Sequence, residues 1–325
     1  MSLTSTGRQL NKGAATITIK ARKKTSEIIK KDFKYNWKVY LMALPVVAFY
    51  IIFCYGPMWG LSIAFVDFKP RLGILNSPFV GLKHFKAFIT DPYFGRLVSN
   101  TFMLNLWGLV FGFPAPIILA LLLNEVINKK FKRTVQTITY MPHFISLVVV
   151  CGLIRIFCES EGLINDIIAM FGGERTPLLA NANLFRPIYT FSGIWQNVGW
   201  DSIIYLAAIS NISPELYESA TIDGAGRIGR MWHITIPGLA PTITILLIFA
   251  IGGMLGSAHE KIILLYNPIT YEKADVIASY VYRRGLQEFD YSYSTAVGLI
   301  SSVVNFIFLW CANAAARNMS ETSLW

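Results

Sequence analysis

The chain has 325 residues, 54% of them hydrophobic and 15% charged, with a net charge of +10 and a mean hydropathy of +0.48. A soluble domain carries about 25% charged residues, so this composition excludes an ordinary soluble globular protein and points to a membrane. The positive charge needs no nucleic acid to explain it, because anionic lipid at the inner leaflet is a sufficient partner.

A helix that crosses a bilayer needs about 20 mostly apolar residues. Six such runs occur, at 39–64, 101–124, 139–157, 186–210, 238–257 and 293–314. Backbone in hydrocarbon must satisfy its own hydrogen bonds, so each is expected to be helical. The expectation is therefore an all-α integral membrane protein with a cytoplasmic N-terminal arm (1–38), a six-span domain (39–314, core about 97–314) and a short tail (315–325). The arm contains "SEIIKKDFKYNWKVY", which alternates basic residues with Ile28, Ile29, Phe33 and Trp37. It reads as an interfacial helix or as a solvated basic arm. The first span is not expected to be a cleaved signal peptide, being too long and interrupted by Pro45 and Pro57.

Lys and Arg set the orientation. Seventeen fall in 1–38, 125–138, 211–237 and 315–325, where the net charge is +10; ten fall in the other three loops, where it is −1. Both termini and the 211–237 loop are thus expected to face the cytoplasm.

Cys54, Cys151, Cys158 and Cys311 lie in or beside spans with no C-x-x-C pair, and read as small apolar residues. No G-x-x-x-x-G-K-[ST], H-E-x-x-H or G-x-S-x-G pattern occurs, and His259-Glu260 is an isolated pair. The chain is expected to bind no nucleotide or metal of its own and not to be an enzyme. No duplicated half of the kind many secondary transporters carry is visible.

The 213–237 loop is polar and punctuated by glycine. Ser213, Pro214 and Glu215 make a helix start: a hydroxyl N-cap, proline in the first turn, and acid at the positive end of the dipole. Gly224 supplies the stop. A second short helix is expected after Gly226, ending before Pro237. Two short helices tethered to spans at both ends can dock in a groove and pass a partner's motion into the membrane; an ordinary amphipathic linker would show the same helix signals.

Glu218-Ser219-Ala220, three residues, Gly224, nine residues and Ile234-Thr235-Ile236-Pro237 resemble the EAA motif of ATP-binding-cassette importer permeases, E-A-A, three residues, G, nine residues, I-x-L-P. Ser219 for alanine and Ile236 for leucine are the departures, and they preserve small size and apolarity. "IDGAG" is the form usual in the carbohydrate branch. From about residue 33 onward, "FCYGPMWGLSIAFVDFKP", "FVGLKHFKAF", "NEVINKKFKRTVQTITYMPHFISLVVV" and "GLIND" resemble the polysaccharide and oligosaccharide subgroup, which includes importers of uronate oligomers and alginate. The resemblance implies the type I importer permease fold, with five shared spans preceded by one more. It also implies residence in the bacterial inner membrane and three kinds of partner: a second permease, two ATPase subunits that hold ATP and magnesium, and an extracytoplasmic solute-binding protein. Glu218, Ser219, Ala220, Asp223, Gly224, Gly226, Arg227, Ile234 and Pro237 would form the segment that couples to the ATPase.

Polar groups inside a span are costly and so are candidates for the transport path. On the fourth run Gln196, Asn197, Trp200 and Asp201 cluster, with 196/200 and 197/201 one helical turn apart. An aromatic plane beside amides suits a sugar, whose C–H faces stack and whose hydroxyls hydrogen-bond; the alternative is glue between helices. Arg155 is the only cation well inside a predicted run and could pair with a sugar carboxylate or snorkel to the interface. Asn105 and Asn305 carry the same two readings. Gly108/Gly112 and Gly252/Gly256 follow G-x-x-x-G and are expected to mark close helix packing. The leading expectation is a permease for an oligosaccharide, acidic uronate oligomers before neutral glycans. An integral membrane sugar-processing enzyme would need a carboxylate cluster in a large aqueous loop, and none is present.

Overall fold

The computed structural model describes residues 25–256, 259–319 and 324. Most of the N-terminal arm, residues 1–24, lies outside them. The chain divides into two compact units, Met1–Trp59 and Gly60–Trp325. Among the described residues it is almost wholly helical, the one β-bridge joining Val66 to Phe79.

In the first unit Thr25–Phe49 is a helix with a non-helical joint at Asn36 (φ −109°, ψ 20°). The Asn36 amide donates to Asp32 at 2.7 Å, and the Tyr40 hydroxyl donates to the same carboxylate. Val39, Leu44, Val47 and Ile51 are all more than half exposed, and none of the helix's apolar window is buried within the chain. A helix apolar on every side and uncovered by protein is one made for lipid.

Four helices among the described residues are long and apolar enough to cross a membrane: Asp32–Phe65, Phe94–Glu125, Arg227–Gly252 and Tyr291–Arg317. The helix Ala182–Ser210 has 29 residues, about 43 Å at the helical rise, but its polar residues keep it out of that group. The run at 139–157 is not one straight helix. Lys129–Phe144 and Leu147–Met170 meet at 101°. Pro142 holds a 3₁₀ turn at Met141–Phe144, Ile145 is extended, and the Ser146 hydroxyl accepts from the Val149 N–H to start a new helix.

Proline marks three further departures. A π-turn lies just ahead of Pro57 (Tyr50–Tyr55), of Pro114 (Gly108–Gly112) and of Pro237 (Met231–Thr235). In each, the N–H of the residue after the turn reaches five residues back, Gly56 to Ile51, Phe113 to Gly108 and Ile236 to Met231. A proline ring clashes with the carbonyl four residues back and brings no N–H. The wide turn removes both conflicts, so the helix runs on. The second short helix therefore does not end before Pro237, as expected from the sequence, but continues to Gly252, five residues short of the expected end of that run.

The second unit is held by three apolar clusters. One joins Leu104, Val150, Ile154, Phe185, Ile262 and Val276; a second joins Phe88, Leu97, Ile277, Tyr280 and Val297. The third, of Ala120, Leu121, Tyr205, Ile209 and Leu239, sits beneath the 213–237 loop. Gly199 is where Ala182–Ser210 crosses Lys129–Tyr140, its Cα set against the Thr139 carbonyl. Gly252 lies against Leu309 of the last helix, as the G-x-x-x-G reading requires of it.

Candidate functional site

The loop at 213–237 begins with the helix Pro214–Ile222. Ser213 occupies the N-cap position, but its hydroxyl makes no capping bond and faces solvent. The helix end is capped by the backbone. Gly224 adopts φ +79°, its N–H donates to the Thr221 carbonyl at 3.1 Å, and the Ala225 N–H donates to the Ala220 carbonyl at 2.8 Å. That is the Schellman pairing, and it needs a residue at ease with positive φ.

Glu218, Ser219, Asp223, Gly224, Gly226, Arg227 and Pro237 are exposed, and Ala220 and Ile234 half-buried. Leu216, Ile222, Ile228 and Trp232 are exposed beside them. The Tyr217 hydroxyl meets the Thr235 hydroxyl at 3.0 Å, and Arg230 donates to the Thr221 hydroxyl at 2.9 Å. These two bonds tie the exposed helix to the spanning helix that follows it, so force on one is delivered to the other. Glu218 also shares a groove of about 540 Å³ with Lys132 and Gln136.

Two cavities, apolar for the most part but each with polar side chains in its wall, flank the helix Ala182–Ser210. The larger, about 560 Å³, is lined by Asn105, Gly108, Gly112, Trp200, Asp201 and Tyr205 among others. The smaller, about 350 Å³, is lined by Gly108, Gly112, Tyr189, Thr190, Gln196, Asn197, Asp201 and Lys261 among others. They share Gly108, Gly112 and Asp201. Nothing lies within 4 Å of where a Cβ would stand at Gly108 or Gly112. These two glycines therefore do not mark close helix packing, the expectation drawn from their spacing; they leave room in the cavities. Gly112→Leu is expected to leave the folded yield intact, since leucine favours a helix over glycine by about 1 kcal/mol. Uptake by vesicles containing the assembled transporter should fall sharply, because the side chain enters both cavities.

The structure thus brings Gln196, Asn197, Trp200, Asp201 and Asn105 to the cavities but not Arg155 or Asn305. Arg155 is exposed in the last turn of Leu147–Cys158. The Asn305 amide oxygen accepts from the Leu255 N–H at 2.8 Å, fixing the chain just beyond the end of a spanning helix. Asn197 is engaged at both ends of its amide, donating to the Gly193 carbonyl at 3.1 Å and meeting His143 Nδ1 at 3.0 Å. Trp200 is 44% exposed and stacks on His143, ring centroids 4.6 Å apart.

Two residues, one packed against the cavity wall and one lining it, escaped the sequence reading. His143 backs the Trp200 plane and sits on the break at 141–146, which the apolar run concealed. Lys261 belongs to the connection 258–292, expected to be an outward loop, but the helix His259–Leu265 folds back against the chain and buries it. The apolar "IILLY" following Lys261 was the available signal. The Lys261 ammonium donates to the Tyr189 carbonyl at 3.0 Å and lies 4.8 Å over the Tyr189 ring. Burial pushes its pKa down to about 8.

A helical membrane unit with an exposed loop tied to one spanning helix, and cavities along another helix, defines a transport subunit. Residues 112–321 match the family described as Binding-protein-dependent transport system inner membrane component. The chain is 46% identical over 288 residues to the polygalacturonan/rhamnogalacturonan transport system permease protein YteP of Bacillus subtilis (strain 168), covering 88% of this chain and 90% of that one. It is also similar to a permease in the crystal structure of a bacterial ABC transporter involved in the import of the acidic polysaccharide alginate. There the TM-score is 0.83 and the identity 44%, over 90% of this chain and 99% of the other. A second structure of the alginate transporter, in complex with an alginate pentasaccharide-bound periplasmic protein, matches with the same TM-score at 43% identity. The chain belongs to the binding-protein-dependent transport system inner membrane component family. It has the type I ABC importer permease fold, and it is a multi-pass membrane permease of a sugar importer rather than an enzyme.

Proposed function

We propose that this chain is one of two permease subunits of an ATP-driven importer for acidic uronate oligosaccharides. A solute-binding protein delivers the cargo, and two cassette ATPases, which carry the ATP and magnesium, dock on the 213–237 loop. The observation that carries the acidic cargo is the agreement between two likenesses above 40% identity: one protein is named for polygalacturonan, a uronate chain by its chemistry, and the other for alginate. The cavity chemistry supports a sugar of either kind, since Trp200 offers a stacking face and Gln196 and Asp201 offer partners for hydroxyls. Neutral oligosaccharide is the second reading, favoured by Asp201, whose carboxylate accepts from hydroxyls but repels an anion.

Competition decides between them. In vesicles containing the full transporter and its binding protein, uptake of labelled galacturonate trisaccharide should be blocked by excess alginate trisaccharide or unlabelled substrate and not by neutral galactose trisaccharide. Uptake of the neutral sugar alone would reverse the assignment.

The distribution of Lys and Arg supports both termini and the 213–237 loop on the ATPase side, with six crossings including the polar helix Ala182–Ser210. Single cysteines near Lys130 and Arg227, in a chain without the native four, should be shielded from an impermeant thiol reagent in intact cells. Cysteines near Gly172 and Lys273 should react. Labelling near Arg227 would contradict this topology.

A further inference from the structure

We propose that Lys261 and Thr190 form a carboxylate-reading subsite in the smaller cavity, which selects uronate units during passage; this rests on the acidic-cargo reading. Both side chains line that cavity and both are more than nine-tenths buried, Lys261 at 6% and Thr190 at 5% exposure. Each has bonding capacity to spare. Lys261 has a single hydrogen-bond acceptor, the Tyr189 carbonyl, and no carboxylate within 4 Å among the described residues. An ammonium offers three donors, and a buried cation without a counter-charge is costly to hold. The Thr190 hydroxyl is buried with no hydrogen-bond partner among the described residues.

Hydroxyls on helices usually bond back to a carbonyl three or four residues earlier, as Thr101, Ser192 and Ser202 do in this chain. Thr190 does not, so its donor is available to a ligand. Gly193 completes the site. A Cβ there would stand 3.3 Å from Lys261 Nζ, so the glycine leaves the ammonium room to reach the helix. A ligand carboxylate placed here would accept from Lys261 and Thr190 together and supply the missing negative charge. Asp201 lines the same cavity eleven residues along the helix, about 16 Å away at the helical rise. The site therefore reads an anion at one end and has an acceptor for sugar hydroxyls at the other.

The test uses the assembled transporter in vesicles, with galacturonate trisaccharide as the probe. Lys261→Met keeps the apolar stem and removes charge and donors; Lys261→Arg keeps the charge. Acid uptake should fall about tenfold or more in Lys261→Met, the scale of a lost bond to a charged group, and should largely recover in Lys261→Arg. Unchanged uptake in Lys261→Met, or equal loss in both variants of an assembled complex, would overturn the subsite. If Lys261→Met fails to assemble, Thr190→Val decides by the same assay: lowered uptake supports the subsite and normal uptake overturns it. A wild-type complex that takes up neutral trisaccharide but not the acid would instead remove the acidic-cargo reading on which the subsite depends.

Discussion

Gly224→Pro is expected to abolish uptake and break the link between cargo and ATP hydrolysis while the permease remains in the membrane. Proline holds φ near −65° and has no N–H, whereas Gly224 sits at φ +79° and donates to Thr221. Both the left-handed turn and one Schellman bond are lost, so the chain cannot reverse between Pro214–Ile222 and Arg227. Nothing lies within 4 Å of a Cβ at this position, which confines the damage to the loop. Membrane yield measures insertion, and ATPase stimulation by cargo-loaded binding protein measures coupling. Normal stimulation in the variant would show that the loop's bend does not transmit the signal.

Gly199→Val should act in the opposite way, on folding before transport. The added side chain would overlap the carbonyl oxygen and carbon of Thr139, and backbone atoms cannot rotate away. The helices Ala182–Ser210 and Lys129–Tyr140 must separate, at a cost of about 1–3 kcal/mol for overpacking a tight contact. The shift would also disturb His143 and Trp200, which stack just beyond the crossing. Expected results are a lower melting temperature in detergent and reduced folded yield. A Gly199→Val protein as stable as wild type would mean that the two helices are not held at this distance.

The legible parts of this protein were those governed by neighbours in sequence. The turn at Gly224 follows from a glycine at the end of a helical stretch, and its two backbone bonds involve residues no more than five apart. The spacing from Glu218 to Pro237, by which the loop resembles the EAA motif, is likewise local. That Asn197 and Asp201 line one cavity follows from helical periodicity, whereas Gln196 and Trp200, also one turn apart, line different cavities. What was not legible depends on groups brought from afar or on backbone states that composition does not announce. The break at Ile145 and Ser146 sits inside a run that is apolar on average, and Pro142 and His143 were its only signal. The π-turns ahead of Pro57, Pro114 and Pro237 let helices pass residues that ordinarily stop them. Gly108 and Gly112 have the spacing of a packing motif, yet the space a Cβ would fill at each is open, and only the placement of the other elements turns them into cavity wall. Lys261 looked like a loop cation because the fold-back of His259–Leu265 is a tertiary event.

The most direct measurement is cargo uptake by vesicles containing the permease pair, with binding protein outside, and with or without the cassette ATPase and ATP within. For an importer permease driven through the 213–237 loop, uptake requires both the ATPase and ATP, and it is lost in Glu218→Lys, which reverses the charge offered to the ATPase. Uptake that proceeds on an ion gradient without the ATPase, or Glu218→Lys vesicles that transport and hydrolyse ATP as wild type does, would contradict it.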